Sequence, residues 1–286
     1  MANPDTEVKK KSQTGSYGMD AYEPDQIAQR VVEIGVKKTS FPVYKTLILG
    51  IMGGCFISLG ALYEISILSH PQINSSTALI VAPLFYAVGY IIAFIAGAEI
   101  FTTNNLSAMA LASGKIKLQR VALNWTVVLF ANLLGAGFMV VLFYFSGLVD
   151  LYDNALVDTA KTISSLKIGL SPTETVVVGL FGNMLICIGL WIAMAGRTVT
   201  DKFLALLVPV AAVPAMNFQH STGNMFQFFL ALVTESETVD LELPSEITFM
   251  AVTSNLFFVS IGNIIGGGVF IALIYYFVFI KDPDTN

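Results

Sequence analysis

The sequence predicts an all-α membrane protein: six transmembrane helices in a 3+3 inverted repeat, with the second and fifth helices broken. Three observations carry that prediction. Of 286 residues, 12% are charged and 55% are apolar, with a mean hydropathy of +0.73; a water-soluble chain usually carries about 25% charge. Six apolar runs each reach the roughly 20 residues that a helix needs to cross the hydrocarbon core. Polar clusters interrupt two of those runs, and blocks of the first half recur in the second. The same composition excludes a soluble globular enzyme, and a net charge of −5 argues against a nucleic-acid partner. Cys55 and Cys187 both lie inside apolar runs, so they read as small buried hydrophobes rather than a disulfide or redox pair.

The chain divides into an N-terminal tail (1–41), a transmembrane transport domain (42–281, with repeats at about 38–149 and 167–281) and a C-terminus (282–286). The tail is polar and holds no apolar segment of signal-peptide type. Residues 24–38 read as a short amphipathic helix on the membrane surface, with Ile27, Val31 and Ile34 on its apolar side. The apolar runs are 43–63, 77–98, 121–149, 172–195, 203–233 and 248–280. None alternates with period two, which disfavours a β-barrel.

Charge sets the expected orientation. Thirteen of the 15 Lys and Arg fall on one side: Lys9, Lys10, Lys11, Arg30, Lys37, Lys38 and Lys45, then Lys115, Lys117 and Arg120, then Arg197 and Lys202, then Lys281. Only Lys161 and Lys167 fall on the other side, which carries Asp150, Asp153, Asp158, Glu235, Glu237, Asp240, Glu242 and Glu246. The positive-inside rule places both termini in the cytoplasm of a multi-pass protein of the cell (inner or plasma) membrane.

The halves repeat. Gly50, Gly53 and Gly60 each lie 129 residues before Gly179, Gly182 and Gly189, and Lys38 lies 129 before Lys167. The block from Asn124 through Asn132 to Gly135 lies 131 before the block from Asn255 through Asn263 to Gly266. Glu99, Thr102 and Asn104 lie 120 before Gln219, Thr222 and Asn224. Three spans per half is odd, so the second half must sit inverted. Inverted repeats are typical of transport folds, with the site at the repeat interface near the midplane and broken helices around it. The segments 98–105 and 216–224 are the expected breaks, the second behind Pro209 and Pro214. Irregular backbone at membrane depth is tolerated only where protein buries it or a cavity receives it.

His220 is the leading candidate residue. An ionisable group inside a span points to function; the plainer alternative is a histidine that holds the broken helix together. Desolvation favours the neutral imidazole, able to donate one N–H to a passing oxyanion. Thr102, and less so Thr222, are read as facing the pathway. Glu99 reads as a carboxylate accepting backbone N–H groups of the break. Asn104, Asn224, Asn132 and Asn263 read chiefly as amides satisfying backbone freed by the breaks; Gln219 and Asn183 are grouped with them as structural, and Asn224 is also placed on the pathway. Lys38 and Lys167 precede the first helix of each repeat: each is a snorkelling anchor, or, for Lys167 on its acidic side, a cation that focuses anions. Gly266–Gly268 reads as close helix packing.

Six blocks in order resemble the formate/nitrite transporter family from about residue 35 to 282: Ala98-Glu-Ile-Phe-Thr102; Asn124-Trp with Asn132-Leu-Leu-Gly; Gly179-Leu-Phe-Gly-Asn183; Arg197-Thr-Val-Thr-Asp-Lys202; Phe218-Gln-His-Ser221 with Asn224-Met-Phe; and Gly262-Asn-Ile-Ile-Gly-Gly. The resemblance implies an aquaporin-like protomer, a homopentamer with one pore per protomer, and passage of small monovalent weak-acid anions such as formate or nitrite; no cofactor is expected, since the sequence has no phosphate-binding loop and no metal-ligand cluster. It makes His220 the central pore histidine, Thr102 its partner, Ile100 and Phe101 the inner constriction, and Lys38 and Lys167 the two vestibule lysines. The chain departs from the family pattern at Gln219, usually Glu, and at Asn217, usually Gly. Tyr86, Tyr90 and Val213 stand at bulky apolar constriction positions, so the seals are expected to be wetter or differently sized. Two rivals stand beside this reading: a pore for neutral solutes such as water or ammonia, against which the absence of paired Asn-Pro-Ala motifs argues, and a membrane-embedded enzyme using His220 and Glu99, for which no nucleophile or metal set is present.

Overall fold

The computed structural model describes residues 22–234 and 243–281. The charges expected at Lys9, Lys10, Lys11, Glu235, Glu237, Asp240 and Glu242, and the C-terminus 282–286, lie outside the described residues. Among the described residues every regular element is helical. Five helices are long and apolar enough to cross a membrane: α2 (Val43–Leu68), α3 (Ser75–Ile95), α6 (Leu118–Phe145), α8 (Pro172–Ala195) and the continuous stretch Phe249–Phe279. Large apolar side chains such as Leu79, Phe130, Phe138, Phe145, Val208 and Phe249 stand exposed on the outer surface. Water does not tolerate an apolar belt of that extent, and hydrocarbon does. The chain is a multi-pass membrane protein.

Helix α1 (Pro24–Thr39) precedes them. Pro24 starts it with a preset φ, Gln26 Oε1 accepts the Glu23 N–H at 3.0 Å, and Lys37 and Lys38 close it. It differs from the surface helix expected from sequence: Ile27 and Val31 are buried against the protein, because α1 packs on the short helices that follow α3 and on α8.

After α3 the backbone leaves the helix at Ala96, turns at Gly97 (φ 77°) and runs extended through Ile100 (φ −124°). Helical geometry resumes in short pieces: α4 (Phe101–Asn104), a 3₁₀ turn (Asn105–Ser107) and α5 (Ala108–Ala112). The second half does the same. Helix α9 (Val199–Ala215) ends at Met216, Asn217 turns with φ 54°, and α10 (Ser221–Val233) starts behind an extended His220. The run expected as one span over 203–233 is thus two helices, and α9 itself has 17 residues.

Helix α7 (Ala155–Ile168) precedes α8, whose start is fixed by Pro172 and a reciprocal Ser171–Glu174 capping box. Helix α11 (Phe249–Asn263) continues through a π-helical stretch (Ile264–Leu273) into α12 (Ile274–Phe279). There Gly266 lies so close to the Leu180 carbonyl of α8 that any side chain would collide with it. The packing has two matching centres: α2 packs on α3 and α6, while α8 packs on α9 and α11, and α3 meets α9 between them.

Candidate functional site

Each interruption is tied down by one asparagine. Asn132 of α6 donates to the carbonyls of Gly50 (2.7 Å) and Glu99 (2.8 Å) and accepts from the Phe101 N–H (2.9 Å). Asn263 of α11 donates to the carbonyls of Gly179 (2.8 Å) and Gln219 (3.3 Å) and accepts from the Ser221 N–H (2.9 Å). The peptide N–H of Glu99 reaches the Leu49 carbonyl at 3.0 Å, and that of Gln219 reaches the Val178 carbonyl at 3.3 Å. Extended backbone has lost its helical partners, and a buried orphan peptide group costs about 1–3 kcal/mol; a carboxamide supplies both donors and an acceptor. Gly53 and Gly182 let α2 and α8 approach: a Cβ on either would strike the carbonyl of Glu99 or of Gln219. Asn183 joins the two halves, donating to the carbonyls of Thr102 (3.2 Å) and Asn263 (2.7 Å) and to Asn105 Oδ1 (2.8 Å).

Each interruption also holds a lysine. Lys38 Nζ donates to Asn104 Oδ1 at 2.9 Å and lies 3.4 Å from Glu99 Oε1. Asn104 Nδ2 donates to Glu99 Oε2 (2.6 Å) and to Asn124 Oδ1 (2.9 Å). In the other half Lys167 Nζ donates to Asn224 Oδ1 at 3.0 Å, and Asn224 Nδ2 donates to Gln219 Oε1 (2.8 Å) and Asn255 Oδ1 (3.2 Å). Two sequence expectations change here. The Glu99 carboxylate is held by Asn104 and Lys38 rather than by backbone N–H groups. Asn104 and Asn224 bind the lysines and their neighbours rather than freed backbone, a task that falls to Asn132 and Asn263. For Glu99 the physical reason is charge, since a buried carboxylate pairs with a nearby ammonium; for Asn104 and Asn224 it is that each amide oxygen lies within reach of a lysine ammonium, which needs acceptors.

Between the two lysines lies a small polar cluster. His220 caps α10, its Nδ1 accepting the Gly223 N–H at 3.0 Å. Its Nε2 is hydrogen-bonded to the Tyr86 hydroxyl. These bonds fit the neutral Nε2–H tautomer, since a protonated Nδ1 would oppose the Gly223 N–H. The Tyr86 and Tyr90 rings both stand edge-on to the imidazole, with centroids at 5.9 and 6.0 Å. The Tyr90 hydroxyl meets Thr102 Oγ1 at 3.1 Å. Thr102 thus sits beside Tyr90, while the Thr222 hydroxyl donates to Asn132 Oδ1 at 3.2 Å. On the Lys38 side a cavity of about 200 Å³ is lined by Lys38, Asn104, Thr103, Met194 and Ile100. Phe101 and Val213 are both buried, and the Val213 carbonyl accepts the Phe218 N–H at 2.9 Å.

The sequence reading misses two residues here. Lys167 Nζ also donates to Gln227 Oε1 at 2.6 Å, and Gln227 Nε2 donates to Glu64 Oε2 at 2.9 Å. The one sequence signal is a lone acid directly after the first apolar run, at Leu62-Tyr-Glu64-Ile, with further apolar residues following it. Lys167 is therefore neither an isolated cation nor a surface anchor.

Known proteins share this architecture. The family model described as "Formate/nitrite transporter" matches residues 25–277. The chain is 33% identical to an uncharacterized transporter, YrhG, of Bacillus subtilis, over 92% of this chain and 96% of that one. It is 30% identical to the formate channel FocA of Escherichia coli K12, with the same coverages. A solved pentameric formate channel with formate bound superposes with a TM-score of 0.75 at 29% identity, covering 84% of this chain and 98% of that chain. The chain belongs to the formate/nitrite transporter family.

Proposed function

We propose that this chain is a channel or transporter for small monovalent weak-acid anions of the formate class. The observation that carries the reading is a neutral imidazole and two tyrosine hydroxyls, buried where two interrupted helices meet and flanked by a lysine on either side. A bare anion is costly at the centre of a membrane. Lys38 or Lys167 draws the anion in, and it crosses the seal formed by Ile100, Phe101, Tyr86, Tyr90 and Val213 as the protonated acid, beside His220 and Thr102.

In this reading α3 with α4–α5, and α9 with α10, are each one broken crossing. They complete six crossings in a 3+3 inverted repeat, spanning 42–281. The assembly is a homopentamer of 30.9-kDa chains in the cell membrane, with both termini cytoplasmic. The positive-inside bias, the matched lysine–asparagine sets and the pentameric relative support these points.

Proteoliposome uptake of formate tests the mechanism. Initial flux at fixed total formate should rise as external pH falls from about 8 to about 5, following supply of the protonated acid. His220→Asn keeps a hydrogen-bond donor without a titrating ring. If His220 only donates, that variant keeps substantial flux with the same profile; if it supplies the proton, acid flux collapses and anion current remains. Wild-type flux independent of pH over that range would refute protonated passage.

A further inference from the structure

The two lysine sites do not balance their charge in the same way. Lys38 has Glu99 at 3.4 Å on its own interruption. The residue equivalent to Glu99 is Gln219, 120 positions later, which is uncharged. On that side the carboxylate comes instead from α2. Glu64, 7% exposed, accepts from Gln227 at 2.9 Å, and Gln227 accepts from Lys167 at 2.6 Å. The amide is oriented: its oxygen faces the ammonium and its NH₂ faces the carboxylate, so one side chain relays between opposite charges.

The repeated spacing gives this acid no counterpart in the second half. Glu64 lies 129 positions before Ala193, and Gln227 lies 120 after Ser107. Ala193 adjoins Met194, which lines the Lys38 cavity. The C-terminal part of α8 thus approaches Lys38 as the C-terminal part of α2 approaches Lys167, but only α2 carries an acid there. A buried carboxylate in an apolar helix is costly without an opposite charge, and the half-buried Lys167 ammonium, with Gln219 in place of a local acid, carries part of the same cost.

We propose that Glu64 is the counter-charge of Lys167, supplied from α2 in place of position 219, and that it sets how strongly the Lys167 end of the pathway holds anions. The second clause rests on the transport reading; the first does not. Glu64 offsets the field of Lys167 through Gln227, so an arriving anion meets a partly neutralised cation. Removing the carboxylate exposes the full charge to the anion. Binding then tightens and release slows.

Two measurements test this. In a melting cycle in detergent, Glu64→Gln and Lys167→Met should each lower the melting temperature by several degrees, because each leaves one charge of the pair, the half-buried ammonium or the buried carboxylate, without its partner. The double variant should lose clearly less than the sum. In proteoliposomes at low ionic strength, Glu64→Gln should lower the half-saturating formate concentration about tenfold, the scale of one poorly screened neighbouring charge. Adding Gln219→Glu, which returns the acid to the equivalent position, should bring both the melting temperature and the half-saturation back near wild type. Additive melting losses would overturn the pairing. A half-saturation unmoved by Glu64→Gln, or not returned by Gln219→Glu, would overturn the effect on anions. If the wild type carries no formate, the transport reading fails on its own, and the melting cycle still decides the pairing.

Discussion

The Lys38 and Lys167 halves share one set of amides and differ in their acids. Asn132 and Asn263 each bind a carbonyl on the neighbouring helix, a carbonyl of the interruption and one N–H beyond it. Asn104–Asn124 and Asn224–Asn255 are matched as well. The acids are not: Glu99 sits on the interruption itself, whereas Glu64 arrives from a helix of the other half. The difference separates two kinds of constraint. Backbone hydrogen bonds are short-ranged and directional, so their partners are fixed atom by atom. Charge acts over several ångströms at low dielectric, so a counter-ion need only lie nearby.

Removing the shared amides should do the most damage to both halves. Asn132→Leu and Asn263→Leu should each cost about 3–5 kcal/mol, the scale of several orphaned backbone groups. Thermal melts and yields of folded protein would report it. The two losses should be of similar size; a mild loss at only one would show that the interruptions are not held alike.

A smaller, charge-based effect should separate the lysines. Lys167 stands on α7, outside the long apolar helices; burial lowers its ammonium to about 8, with Glu64 pulling the other way. The charged form is present below that pH and is lost above it. The half-saturating anion concentration should therefore rise several-fold between about pH 7 and about pH 9. Lys167→Met should abolish that rise, and Lys38→Met should leave it in place. A rise that survives Lys167→Met would assign the titration elsewhere.

The finest contrast concerns the two turns. Gly97 (φ 77°) and Asn217 (φ 54°) stand 120 positions apart and both adopt the left-handed backbone. Asn tolerates that region better than most side chains, which accounts for its presence at the turn that matches Gly97. Gly97→Ala should cost about 1–2 kcal/mol, although nothing crowds its Cβ position. Asn217→Gly should stay within about 0.5 kcal/mol. Melting temperatures of the pair would check both.

The polar stretches at 98–105 and 216–224 are legible because polar residues inside apolar runs are local signals, doubled by the 120-residue spacing. Extended backbone at Ile100 and His220 falls within them, while Pro209 and Pro214 lie inside α9. The partners of those residues were not legible. Nothing in the order of residues says that Asn132 turns to backbone while Asn104 turns to a lysine, since both are buried amides near a break. Glu64 was not legible as a site residue either. It sits on α2, which carries no interruption, and only three-dimensional packing brings Gln227 to it.

The capping bond of His220 bears on the energetics of the membrane itself. An imidazole conducts protons by taking one at one nitrogen and releasing one from the other. Here Nδ1 is committed to the Gly223 N–H and Nε2 carries the ring's one proton. While that capping bond holds, the ring has no free lone pair at which to take a second proton. Under the proposed pathway the ring donates a hydrogen bond to what passes and does not serve as a proton wire. A membrane holding many such pores would then pass protons only as fast as weak acids carry them, and would hold its gradient when no acid is there to cross.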